Sequence, residues 1–69
     1  MWDIESNLSN VQYEILKKVA LGKKEKEIAS EISLSINTVK YHKKEIFTKL
    51  QVDSVGEAIY KAVKLDLLD

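Results

Sequence analysis

The chain has 69 residues, in which eleven basic side chains balance eleven acidic ones, with one histidine, no cysteine and no proline. That length holds one small domain, the missing cysteines exclude disulfides and thiolate metal sites, and no apolar run is long enough for a membrane span or a signal peptide. Zero net charge counts against indiscriminate binding to polyanions.

Alanine, leucine, lysine and glutamate are common and glycine occurs only twice, which favours an all-α fold with short connections. The lack of cysteine says little about compartment, though it suits a reducing cytosol, and a cytoplasmic location is the expectation for the chain.

The first helix is expected over about 10–21. Ser9 and Gln12 have the spacing of a capping box, with Leu8 before the cap. Val11, Ile15, Leu16, Val19 and Ala20 follow as a stripe for burial. Gly22 fits the left-handed residue that ends a helix. Before this helix, Trp2 and Ile4 are expected to lie over the core, and Tyr13 to be partly buried.

A second helix is expected over about 25–32, with Ile28, Ala29 and Ile32 facing inward. Glu25 and Glu27 stand in its first turn, where the helix dipole favours anions. The link Ser33-Leu34-Ser35 is very short, and Leu34 is its apolar plug. Two helices joined so tightly read as a helix-turn-helix.

Ser35 is a good N-cap for a third helix over about 36–50. At 3.6 residues per turn, Ile36, Val39, Ile46, Phe47 and Leu50 share one side. Asn37, Tyr41, Glu45 and Thr48 share the opposite side, bordered by Lys40 and Lys44 on one edge and by Thr38, His42 and Lys49 on the other. Lys43 falls within the apolar arc and is expected to snorkel, its stem on the core and its ammonium in water. The segment 37–49 holds four lysines against one glutamate. An isolated lysine cluster is usually a solvated helix face; after a tight turn it reads as a DNA-contacting one.

A fourth helix is expected over about 55–67, opened by a capping box of Ser54 and Glu57. Val55, Ala58, Ile59, Ala62 and Val63 form its core stripe. Gly56, Tyr60 and Leu67, with Val63 at the shared edge, form a second apolar stripe. Two stripes suit two partners, here the core and another copy of the chain.

These residues carry a family resemblance. Leu8-Ser9, Glu14-Ile15-Leu16, Ala20, Gly22, Lys26-Glu27-Ile28-Ala29, Leu34-Ser35, Thr38-Val39-Lys40, His42, Ile46, Lys49-Leu50, Val52 and Ala58 together resemble the LuxR-type (GerE-like) helix-turn-helix domain of bacterial transcription regulators. The resemblance runs from Leu8 to about Leu68. It implies an all-α, four-helix module whose third helix enters the major groove of double-stranded DNA and whose fourth helix forms a homodimer.

By the same resemblance, Lys40, Tyr41 and Lys44 would face base edges. Asn37, Thr38, His42 and Lys49 would contact phosphates, and Lys24 and Lys26 would approach the backbone. Gly56, Tyr60, Val63 and Leu67 would make the dimer interface. RNA polymerase or another regulator is a further partner the resemblance admits.

The chain also departs from that family's pattern. Val11 and Val55 stand where arginine is usual, and Glu25 and Glu45 where asparagine is frequent. Glu45 would either weaken DNA binding or accept from a cytosine amino group. These departures support a rival reading, a protein-interaction module with the same fold and little DNA affinity.

Catalysis is not expected, because there is no glycine-rich phosphate loop, no paired histidine and no room for a pocket. No metal and no other cofactor is expected, since the single histidine has no second soft ligand. Met1 directly before the domain suggests a free-standing regulator; the effector part of a longer one is the other reading.

Overall fold

The computed structural model describes residues 8–64, which form four α-helices. These are α1 (Asn10–Ala20), α2 (Glu25–Ile32), α3 (Ile36–Leu50) and α4 (Val55–Lys64). The expected places of Trp2, Ile4 and Leu67 lie outside the described residues, as does the end of the fourth helix beyond 64.

Each boundary has a local cause. Ser9 Oγ accepts the backbone N–H of Gln12 at 3.1 Å while Gln12 Oε1 accepts that of Ser9 at 3.2 Å, closing the box that starts α1. Ser35 Oγ accepts from Thr38 N–H at 3.1 Å to start α3. Ahead of α4, Ser54 Oγ accepts from Glu57 N–H at 3.2 Å. Glu57 reaches one residue further back than a strict capping box, accepting from Asp53 N–H at 2.8 Å. At the start of α2, Lys24 offers no acceptor in its side chain; its backbone N–H instead donates to Glu27 Oε1 at 2.9 Å.

Three helix ends close in the same way. Leu21 caps α1, and Gly22 follows at φ 84, where Lys23 N–H reaches Lys18 O at 3.1 Å and Gly22 N–H reaches Val19 O at 2.9 Å. This is the pair of bonds that satisfies the last carbonyls of a helix when the chain turns left-handed. Ser33 and Gln51 take the same left-handed turn, at φ 59 and 60, after α2 and α3. Leu34 N–H then reaches Ala29 O at 3.0 Å, and Val52 N–H reaches Phe47 O at 3.0 Å.

The helices enclose one apolar core. Ile15, Leu16 and Val19 of α1, Ile28 and Ala29 of α2, Val39, Ile46 and Leu50 of α3, and Ala58 and Ala62 of α4 are buried together. Leu8, Tyr13, Ile32, Leu34, Phe47, Val52 and Ile59 are half-buried around them. Each fully buried Leu or Ile contributes roughly 1.5–3 kcal/mol. Helix α3 packs against α1, α2 and α4, so its inner face is fixed from three sides.

Several residues assigned to inner stripes are exposed instead. Val11, Ile36 and Val55 stand in the first turns of their helices, Ala20 in a last turn, and all four are exposed. A small domain encloses the middles of its helices better than their ends. Val63 is also exposed, so it belongs with Tyr60 on the outer side of α4 and not with the core stripe.

Candidate nucleic-acid interface

The outer face of α3 carries Asn37, Lys40, Tyr41, Lys44 and Thr48, all exposed. A shallow groove along it is lined by Tyr41, Lys44, Glu45, Thr48 and Lys49. Lys40 and Lys44 form no ion pair among the described residues. Two ammonium groups and a phenol ring thus project from one rigid helix, a set able to meet phosphates or the acceptor-rich edge of a guanine.

The neighbouring polar side chains are tied inward, and the tie is Gln12. The residue is only 3% exposed. Gln12 Nε2 donates to Glu45 Oε1 at 3.2 Å and to His42 Nδ1 at 3.3 Å. Gln12 Oε1 accepts from Lys49 Nζ at 2.7 Å and from Ser9 N–H at 3.2 Å. Four partners use the two hydrogens and two lone pairs of the amide. Sequence reading found Gln12 only as a helix cap, because its other contacts join residues 30, 33 and 37 positions apart.

Glu45 therefore does not stand free on the outer face. It is half-buried, and its second oxygen, Oε2, accepts from the Tyr41 hydroxyl at 3.1 Å. That hydrogen bond and the carboxylate's charge push the Tyr41 hydroxyl above its ordinary value of 10.0. Tyr41 remains a neutral donor with its ring exposed, and its ring meets that of His42 edge-on at 5.4 Å.

The other expected phosphate-facing residues divide. Thr38 is half-buried, with its hydroxyl 2.9 Å from Ser35 Oγ. His42 and Lys49 are half-buried and share Gln12. Lys24 and Lys26 are exposed at the start of α2. Lys43, expected to hold its ammonium in water, also has an ion-pair partner: its Nζ lies 3.2 Å from Glu25 Oε2, both side chains partly exposed. The acidic first turn of α2 lies within reach of that ammonium, and a half-buried charge gains more from a partner than from partial hydration. The pair ties α2 to α3 across the turn.

A second cluster ties α1 to α2. Glu31 takes Lys18 on one oxygen and Lys23 on the other, each at 2.8 Å. Hydrogen bonds from Lys18 and then Lys23 hold the Glu31 carboxyl below its ordinary 4.5, while the bond to Glu31 raises Lys23 above 10.5.

On α4, Gly56, Tyr60 and Val63 are exposed, Tyr60 at 67% and Val63 at 56%. The Lys64 ammonium lies over the Tyr60 ring at 6.0 Å. No group of His, Cys, Asp and Glu among the described residues could hold a metal ion, and no helix among them is long and apolar enough to cross a membrane.

Residues 6–62 match the family described as bacterial regulatory proteins, luxR family (GerE). Among curated proteins, the chain is similar to the oxygen regulatory protein NreC of Staphylococcus haemolyticus (strain JCSC1435), 42% identical over 62 residues. It is equally similar, 42% over 62 residues, to the protein of that name from Staphylococcus aureus (strain JH9). In both cases the matched segment is 90% of this chain but 29% of the relative. The chain thus spans less than a third of the length of these relatives.

Proposed function

The chain belongs to the luxR family of bacterial regulatory proteins, and on that premise we propose that it binds double-stranded DNA and regulates transcription in the cytoplasm. In this reading α3 lies in the major groove. Lys40, Tyr41 and Lys44 meet base edges, and Asn37, Thr38, His42 and Lys49 meet phosphates, with Lys24 and Lys26 approaching the backbone from α2. Two copies pair through the outer side of α4, with Gly56, Tyr60 and Val63 in the interface. RNA polymerase or another regulator is a further partner that this reading admits. No catalytic role is part of it.

The observation that carries the reading is the exposed face of α3. Lys40 and Lys44 point away from the core without ion-pair partners among the described residues, while Lys43 is paired with Glu25. With few phosphate contacts per copy, binding should have a modest salt slope and should gain from a second copy.

One feature favours the rival protein-interaction module: zero net charge with Glu45 set among the α3 lysines. Titration of duplex DNA at two salt concentrations separates the two. Binding that weakens with salt, and weakens further in Lys40→Ala and Lys44→Ala, supports DNA recognition. No binding at low salt by the folded protein supports the rival.

A further inference from the structure

We propose that Gln12 is a positioning residue that sets how α3 meets DNA, by fixing the tautomer of His42 and clamping Glu45 against Tyr41. The inference rests on the DNA-binding reading above. It assigns to a buried residue of α1 part of the specificity otherwise credited to α3 alone.

The orientation of the Gln12 amide is determined by its partners. Ser9 N–H and Lys49 Nζ are donors, and both lie on Oε1. The Glu45 carboxylate is an acceptor and lies on Nε2. Turning the amide over would set its oxygen against the carboxylate and its NH₂ against the ammonium. The remaining hydrogen on Nε2 therefore points to His42 Nδ1, 3.3 Å away. A neutral imidazole that accepts at Nδ1 carries its hydrogen on Nε2. His42 is then a hydrogen-bond donor at its other nitrogen, the role a phosphate contact requires.

The same amide acts on Tyr41 through Glu45. Holding Oε1 of Glu45 leaves Oε2 to receive the Tyr41 hydroxyl at 3.1 Å. The phenol ring is thereby held across one turn of α3, with its exposed surface outward. A buried amide saturated by four partners is a rigid anchor, since losing any one of them leaves one hydrogen or one lone pair of a buried group unused. Glu45, in this account, orients a reader and does not itself read a base.

The test uses the fact that His42 is the only histidine. Long-range 1H–15N spectra of the free protein, at a pH where the imidazole is neutral, report its tautomer directly. Wild type should show the Nε2–H form. In Gln12→Glu the carboxylate can only accept, so the hydrogen should shift toward Nδ1. Gln12→Met removes both donors with nearly the same volume. It should lose about tenfold in affinity for a preferred duplex, the scale of one misplaced polar contact, and a smaller loss should appear with an unrelated duplex, through the phosphate contact of His42. An unchanged tautomer in Gln12→Glu, or equal affinities of wild type and Gln12→Met for the preferred duplex, overturns the inference. Should Gln12→Met not fold, the tautomer in Gln12→Glu decides. Wild-type protein that binds no duplex overturns the DNA reading itself, an outcome distinct from either of these.

Discussion

Gln12 of α1 donates to Glu45 of α3 across 3.2 Å, joining two residues 33 positions apart in the chain. The contact couples the cap of the first helix to the middle of the helix whose outer face is proposed to read DNA. Ser9 Oγ holds the backbone of Gln12 while the Gln12 side chain holds α3. One residue thus serves local structure and long-range positioning together.

The core sets the first prediction. Leu50 and Ile46 are fully buried on the inner face of α3. Leu50→Ala or Ile46→Ala should cost about 2–5 kcal/mol. A domain of this size has little more than that in total, so either variant should lose its cooperative thermal unfolding transition at ordinary temperatures, as followed by circular dichroism.

Backbone geometry makes a paired prediction of opposite sign. Gly22 sits at φ 84 and Gln51 at φ 60. Gly22→Ala places a Cβ in a left-handed conformation and should destabilise by about 1 kcal/mol or more. Gln51→Gly relieves that same strain and should stabilise by up to about 1 kcal/mol. Urea midpoints moving in opposite directions would bear this out, and a loss of stability in both variants would count against it.

The Glu31 cluster predicts a pH dependence. The carboxyl titrates below its ordinary 4.5 in the folded chain because Lys18 and Lys23 hold its charged form. Its contribution to stability is therefore present above pH 4.5 and is lost as pH falls through the depressed value. Lys23, raised above 10.5, contributes below that pH and loses its contribution as pH rises through the elevated value. Glu31→Gln should flatten the fall in urea midpoint on the acid side. A variant that keeps the full acid dependence would remove Glu31 as its source.

The outer side of α4 yields a prediction on assembly. Tyr60→Glu puts a charge among Gly56 and Val63 on a surface already exposed, so the fold should survive. Sedimentation should then show a monomer, and affinity for a duplex with two half-sites should fall. Unchanged sedimentation and affinity would place the interface elsewhere.

Local features of this fold were legible in the sequence. Ser9, Ser35 and Ser54 each cap a helix with a side chain visible from spacing alone, and Gly22 marks its left-handed turn by the residue type it needs. Ser33 and Gln51 make the same turn without glycine, so composition gave no sign of them. The stripes found the inner residues Ile15, Ile28, Val39 and Ala58 but overreached at helix ends such as Val11 and Ile36, where periodicity continues past the wall of neighbouring helices. On the candidate interface, Lys40, Tyr41 and Lys44 follow from the wheel of one helix. Gln12, and the inward ties of Glu45, His42 and Lys43, depend on which helices meet. Periodicity within a single helix carries no such information.

The central claim, that the exposed face of α3 meets duplex DNA, is tested most directly by backbone amide spectra of the 15N-labelled protein titrated with a short duplex at low salt. The account predicts chemical-shift changes concentrated at Asn37, Lys40, Tyr41, Lys44 and Thr48 and at Lys24 and Lys26, diminishing as salt is raised. Unmoved spectra at saturating duplex, or changes centred instead on the exposed end of α1 around Lys17 and Leu21, would contradict it.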